Sequence, residues 1–203
     1  MRIVAISDTH GRHIDPKLVP DGDVFVHCGD FTNLGRSDEI ASFAAWLREL
    51  PHRNKLVIAG NHDLSFEDGT ATEDLLGDDV TYLFDTGVVI DGVSFFGSPW
   101  TPRFGDWAFM YDHRVAEYVW QEIPDKTDVL ITHGPGFGAL DMTTRGEHAG
   151  CVALANRIHA IRPKLHLHGH IHEARGEIVL SSETRLVNCA TGGRLLPPIV
   201  VEL

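Results

Sequence analysis

The sequence predicts an α/β sandwich with a mixed sheet arrangement, and three observations point to it. Short apolar runs rich in Val and Ile recur along the whole chain. Helical periodicities lie between some of the runs in the first half. Near the end the runs crowd together without such spacers. Strands that alternate with helices and then cluster are the mark of layered α/β packing.

The elements follow in chain order. Residues 2–6, 23–27, 55–58, 88–90, 93–96, 128–131, 164–167, 177–180, 185–187 and 199–201 read as strands, many of them buried on both faces. Ser37, Asp38 and Glu39 open a helix that carries Ile40, Phe43, Ala44, Leu47 and Leu50, with Pro51 beyond it. Residues 150–161 place Val152, Leu154, Ala155, Ile158 and Ile161 near one helical face, before Pro163. A weaker helical pattern covers 111–121. Residues 97–107, rich in Gly, Pro and Trp, read as a loop and a pocket wall. With no repeat and no Ser/Gly linker, residues 1–203 are expected to form one domain.

Composition excludes several classes. Apolar residues at 43% and charged residues at 23% exclude a disordered chain. No apolar run approaches a bilayer span of ~18 residues, and residues 1–6 pass straight into Ser7 and Asp8 without a signal-peptide pattern. The net charge of −12 argues against a stable nucleic-acid scaffold, although not against a small phosphate substrate. Cys28, Cys151 and Cys189 form no CxxC pair, which fits reduced thiols in a cytoplasmic protein. The anomaly is histidine: 13 residues, several beside Gly and Asp, point to metal chemistry.

Five clusters share one placement, immediately after an apolar run. They are Asp8-Thr9-His10, Gly29-Asp30, Gly60-Asn61-His62-Asp63, His133-Gly134 and Gly169-His170-Ile171-His172. In α/β sheets, ligands bind beyond the carboxyl ends of the strands, so these residues are expected at one edge. Carboxylate, imidazole and amide oxygen without thiolate suit Mn, Fe, Zn or similar divalent or mixed-valence ions. The ligands outnumber the needs of one tetrahedral ion. A pair of ions about 3.5–4 Å apart would use them all and hydrolyse a phosphate ester.

In this order the five clusters resemble the signature of the calcineurin-like metallophosphoesterase superfamily. Phe31-Thr32-Asn33, Leu50-Pro51-His52 and residues 58–66, 97–109, 130–135 and 150–152 are similar to its metallophosphoesterase-domain-containing branch. The resemblance implies a four-layer α/β/β/α sandwich, two mixed β-sheets flanked by helices. It implies that Asp8, His10, Asp30 and His172 hold one metal and Asp30, Asn61, His133 and His170 the other, with Asp30 bridging. It implies that a bridging hydroxide attacks, that Asn61 and His62 contact the phosphate, and that His62 serves the leaving oxygen. That branch is linked to phosphodiesterase activity, including on cyclic nucleotides.

One departure bears on substrate. The superfamily's protein phosphatases carry an acid and an arginine where this chain has Asn33 and Leu34. A group that would orient His62 and one that would grip a phosphomonoester are both missing, which favours a diester. A phosphomonoesterase and a non-catalytic metal-binding scaffold are the alternatives, and a homo-oligomer is left open.

Other residues have plainer readings. Asp63 is expected to hold its loop by accepting backbone hydrogen bonds, and His166 to be structural. His168 and His27 stand between packed residues and supports for a ligand. His148 is a weak candidate for substrate contact. His13, His52, His113 and His159 read as surface or structural, Trp100 and Trp107 as packing residues, and Cys151 as a small buried residue.

Overall fold

The computed structural model describes residues 1–203. The first sheet contains β1 (Arg2–Ile6), β2 (Val24–Cys28), β3 (Asn54–Ile58), β4 (Val80–Tyr82) and β13 (Ile199–Glu202). Its spatial order is β13-β1-β2-β3-β4, with β1 to β4 parallel and β13 antiparallel at the edge. The second contains β5 (Thr86–Ile90), β6 (Val93–Ser98), β9 (Val129–Thr132), β10 (Leu165–His168), β11 (Gly176–Val179) and β12 (Arg185–Asn188). Its order is β11-β12-β10-β9-β6-β5, parallel at the centre with antiparallel strands at both edges. The helices are α1 (Ser37–Glu49), α2 (Leu64–Glu67), α3 (Ala116–Gln121) and α4 (Val152–Ile161).

Strand parity sorts the side chains into layers. Ala5, Val26, Leu56 and Ile58 of the first sheet meet Phe95, Val129, Ile131, Leu165 and Leu167 of the second in the largest core. The opposite face of the first sheet, with Val4, Ile6, Phe25 and Val57, packs on Phe43, Trp46 and Leu47 of α1. The outer face of the second, with Phe96 and Leu130, packs on Trp120 of α3 and Leu154 and Ile158 of α4. Helices therefore flank two mixed sheets, as expected. Burying each such large apolar side chain stabilises the fold by about 1.5–3 kcal/mol.

Every strand read from the sequence is present, with ends shifted by one or two residues. The start of α1 is held by Glu39, whose carboxylate accepts from the backbone N–H of Arg36 at 3.1 Å. Three differences have local causes. β4 escapes detection because it is a three-residue, partly exposed edge strand. Residues 97–107 are not all loop: β6 runs through Gly97 to Ser98, and β7 (Thr101–Pro102) pairs with β8 (Met110–Tyr111) in a separate ribbon. The pattern over 111–121 yields only the short α3, preceded by a 3-10 turn at His113–Val115 that Asp112 caps.

Candidate metal centre

β1, β2 and β3 are parallel in one sheet, and β9 and β10 are parallel in the other. Their carboxyl ends meet at one edge of the sandwich. There the chain delivers Asp8 and His10 after β1, Asp30 after β2, Asn61 and His62 after β3, His133 after β9, and His170 and His172 after β10. Asp8, His10, Asp30 and His170 all adopt left-handed backbone, with φ of 56°, 48°, 56° and 68°. Such conformations are uncommon outside glycine and gather where function demands a sharp turn.

Asp8, Asp30, Asn61 and His133 form a buried floor. His133 donates its Nδ1–H to the carbonyl of Cys28 at 2.9 Å. Its Nε2 therefore faces the centre, 3.0 Å from Asn61 Oδ1 and 3.3 Å from Asp30 Oδ2. An imidazole anchored through one nitrogen to a backbone carbonyl is prepared to ligate through the other. Asp30 Oδ2 also lies 3.9 Å from His10 Nε2, so this carboxylate stands between the two sides of the centre. Asp8 accepts from the backbone N–H of His170 at 3.0 Å and from His172 Nε2 at 3.1 Å.

His10, His62, His170 and His172 form a partly exposed rim. His10 and His172 bring their Nε2 atoms to 3.3 Å. The His170 ring lies against His133 and Phe104, at centroid distances of 5.0 and 5.2 Å. His62 donates its Nδ1–H to the backbone carbonyl of Asn33 at 2.7 Å, leaving Nε2 free. The acid missing at position 33 is thus replaced by a main-chain oxygen, so the substitution does not leave His62 unoriented. Asn33 itself is held by Glu39, to which its side-chain amide donates at 3.1 Å.

Charge dominates the floor. Burial opposes ionisation of Asp30, but His133 beside it holds the carboxyl below its usual range. Asp8 is likewise held low, because the hydrogen bond from His172 and the nearby imidazoles outweigh burial. Burial disfavours a charged His133, yet Asp30 and Asp8 overcome it and raise its pKa to about 9. The floor thus recruits a positive charge. His170, mainly through burial, falls to about 4 and stays neutral.

A second set of groups keeps this arrangement in place. Asp63 accepts from the backbone N–H groups of Gly60, Asp30 and Thr32 and from the Thr32 hydroxyl, at 2.7–2.9 Å. It holds the loop, as expected. Gly60 and Gly169 are required by close approach: a Cβ would lie 2.4 Å from Asp30 Oδ1 at the first and 2.2 Å from Asp8 Oδ2 at the second. His27, edge-on to the stacked rings of Phe31 and Phe43, meets the hydroxyl of Thr9, the residue between the candidate ligands Asp8 and His10, at 3.1 Å.

Sequence reasoning missed three contributors. Thr191 donates its hydroxyl to the Asp8 carbonyl at 2.8 Å, and the Gly193 N–H does the same. The small residues Thr191-Gly192-Gly193 just after β12 were the available signal. Trp107 packs on His62 at a centroid distance of 4.3 Å and so belongs to the rim. Trp100, by contrast, packs against Phe109 and donates to Asp85.

The remaining candidates separate. His148 donates to the buried Asp141 at 2.7 Å. It lines a cavity of about 520 Å³ that also touches His170, Phe104, Arg103 and Arg145. His166 and His168 point away from the centre, into the layer beneath α4. Cys151 is buried, and all three cysteines are free.

The donor set fits a cation. Three overlapping groups each bring ligand atoms within 4.8 Å of one another: Asp8, His10 and His172; His10, Asp30 and His62; and Asp8, Asp30 and His133. Two buried carboxylates amid nitrogen and amide-oxygen donors, with no thiolate, match divalent ions of the Mn, Fe and Zn type. His62 sits in one of these groups and His170 in none. No helix of the chain is long and apolar enough to cross a membrane.

Residues 1–174 match the model of a family described as calcineurin-like phosphoesterase. The chain is 38% identical over its whole length to human metallophosphoesterase domain-containing protein 1, covering 71% of that protein. One solved structure resembles it with a TM-score of 0.73 at 15% identity, covering 92% of this chain and 89% of the other. Another, described as a novel archaeal phosphodiesterase, gives a TM-score of 0.50 at 19% identity, covering 100% and 93%. At these identities the structural likeness shows the fold.

Proposed function

Because the chain belongs to the calcineurin-like phosphoesterase family, we propose that it hydrolyses small phosphodiesters, cyclic nucleotides among them, with two metal ions at this centre. The observation that carries this reading is the shared position of Asp30. Its Oδ2 lies between donors of the two groups, 3.9 Å from His10 Nε2 and 3.3 Å from His133 Nε2. A carboxylate common to two donor groups is what a bridging ligand requires. Asp8, His10, Asp30 and His172 would hold one ion, and Asp30, Asn61, His133 and His170 the other. Bound ions would supply Lewis acidity and lower the pKa of an attacking water.

The chain's own groups do the rest. His62, anchored through Nδ1–H, leaves Nε2 free, and as the doubly protonated imidazolium it would donate the Nε2 proton to the leaving oxygen. Trp107 covers one face of that ring and limits its access to water. Asn61 would contact the phosphate through its amide. The cavity beside His170 would take the organic part of the substrate, with His148 oriented by Asp141 at its wall. The unpaired cysteines support a reducing, cytoplasmic setting.

A phosphomonoesterase is the second reading, favoured by Arg103 and Arg145 in the wall of that cavity. Either cation would meet the extra charge of a monoester. Hydrolysis of bis-p-nitrophenyl phosphate and of the corresponding monoester, compared by kcat/KM on metal-loaded protein, separates the two. A higher value for the diester is expected. A strong preference for the monoester overturns the diester reading, and no turnover of either with Mn, Fe or Zn favours the scaffold alternative.

A further inference from the structure

The direction of the His62 ring is set by one bond, from its Nδ1–H to the Asn33 carbonyl at 2.7 Å. A main-chain carbonyl is only as well placed as the segment that carries it. Residues 31–36 join β2 to α1 outside any helix or strand, and Asn33 and Leu34 are exposed. Connecting segments of this kind are commonly the mobile part of a fold.

One buried carboxylate removes that freedom. Glu39, in the first turn of α1, accepts from the backbone N–H of Asn33 through Oε1 at 3.2 Å. Through Oε2 it accepts from the N–H groups of Leu34 and Arg36, at 3.2 and 3.1 Å. The remaining N–H, of Gly35, goes to the Thr32 hydroxyl at 3.0 Å. The Asn33 side chain closes the arrangement: its Nδ2 donates to Glu39 Oε1 at 3.1 Å and to the His10 carbonyl at 2.8 Å, so both amide protons are used. Capping α1 needs only the bond to Arg36. The bonds to Asn33 and Leu34 do nothing for the helix; what they fix is the place of the Asn33 carbonyl. Hydrogen bonds to a carboxylate are roughly twice as strong as neutral ones, which suits them to hold an exposed loop.

We infer that Asn33 and Glu39 are positioning residues for protonation of the leaving group: they hold the Asn33 carbonyl, and through it the His62 ring, in register with the centre. This role rests on the reading of His62 as proton donor. Glu39 acts through the main chain, so it fixes the ring's direction without placing a carboxylate against Nδ1. A misplacement of about 1 Å can cost on the order of 10²-fold in rate. The loss falls on the step that needs the proton, so it grows as the leaving group becomes poorer.

The test compares the manganese-loaded full chain and its variants on methyl p-nitrophenyl phosphate and methyl phenyl phosphate. The two diesters differ by one nitro group on the leaving ring: nitrophenolate departs with little help, whereas phenolate needs the proton. Asn33→Ala keeps the carbonyl and removes both side-chain bonds. Its kcat on the phenyl ester should fall by about 10- to 100-fold, a loss at least about tenfold greater than on the nitrophenyl ester, with metal titration unchanged. Glu39→Gln, which turns one acceptor oxygen into a donor, should show the same pattern; because position 33 is exposed, Asn33→Ala serves if Glu39→Gln does not fold. His62→Ala should show the steepest dependence on the leaving group. Adding Asn33→Ala to His62→Ala should cost neither ester anything further, since the ring it positions is gone. Equal losses on the two esters, weakened metal binding in Asn33→Ala (which would place its action at the His10 carbonyl), or a further loss in the His62→Ala background would each overturn the proposal. If His62→Ala is itself indifferent to the leaving group, the proton-donor reading falls and the proposal with it; if His62→Ala alone is sensitive, only the proposal falls.

Discussion

The floor and the rim of the candidate centre are built differently. Asp8, Asp30, Asn61 and His133 leave the ends of packed strands and are almost fully shielded from solvent. His10, His62, His170 and His172 sit in the turns beyond them and are partly exposed. The floor mixes carboxylate, amide and imidazole; apart from Trp107, the rim is histidine alone. Buried, anchored groups set charge and geometry at little reorganisation cost, whereas partly exposed imidazoles meet solvent and substrate directly. The division teaches that these residues, equal members of one sequence pattern, need not be equal in effect.

The largest expected effect is in the floor. Asp30→Ala removes the carboxylate between His10 and His133 and strips His62 N–H of its acceptor. Turnover should be abolished and metal binding weakened throughout the centre, as metal titration by calorimetry will show. If the variant keeps two tightly held ions, Asp30 does not bridge.

In the rim, His62→Ala should retain metal and lose roughly 10²–10⁴ in kcat, the range of general acid catalysis. Because His62 sits in a donor group with His10 and Asp30, loss of an ion instead would reassign it as a ligand. His170→Gly should be milder in binding: one tightly held ion, with residual activity that depends on added metal. Its backbone N–H to Asp8 survives the change, so the floor should remain intact. Two tight ions in this variant would remove His170 from the ligand set.

The smallest effect is a pH dependence that tests the floor without mutation. His133 in the metal-free protein has its pKa raised from 6.5 to about 9 by Asp30 and Asp8, against the pull of burial. A raised folded-state pKa stabilises the protein fully below about 6.5, and that contribution disappears as pH rises through about 9. Thermal unfolding of metal-free protein should follow this fall. A cation at Nε2 displaces the same proton, so metal affinity should rise with pH over this window. Calorimetry in buffers of different ionisation enthalpy will count the protons released; none released at pH 7.5 would place His133 outside the metal's ligands.

Much of this was legible in the chain. Val- and Ile-rich runs set the strands, because a strand buried on both faces needs apolar residues at every position. The five polar clusters lay at strand ends, where parallel packing brings them to one edge. β4 and the β7–β8 ribbon were not legible, since two or three residues carry no periodicity. The replacement for the missing acid at position 33 was also hidden: Asn33 serves His62 through its carbonyl, which every residue possesses.

The run from His166 to His172 marks the boundary between what sequence determines and what tertiary structure decides. The sequence alone determined that alternate residues share a face within a continuous strand, so His166 and His168 belong together. It also placed the strand end at Gly169, which frees His170 and His172 from that face, but it could not say which face packs against what. That depends on α4 lying over the His166 and His168 side of β10 and on Asp8, from the other sheet, accepting the His170 N–H across 162 residues of chain. Proton positions were settled the same way: His133 takes its orientation from Cys28, 105 residues distant. Local chemistry is written in residue type and spacing. Tautomer, burial and charge come from neighbours that only the folded chain supplies.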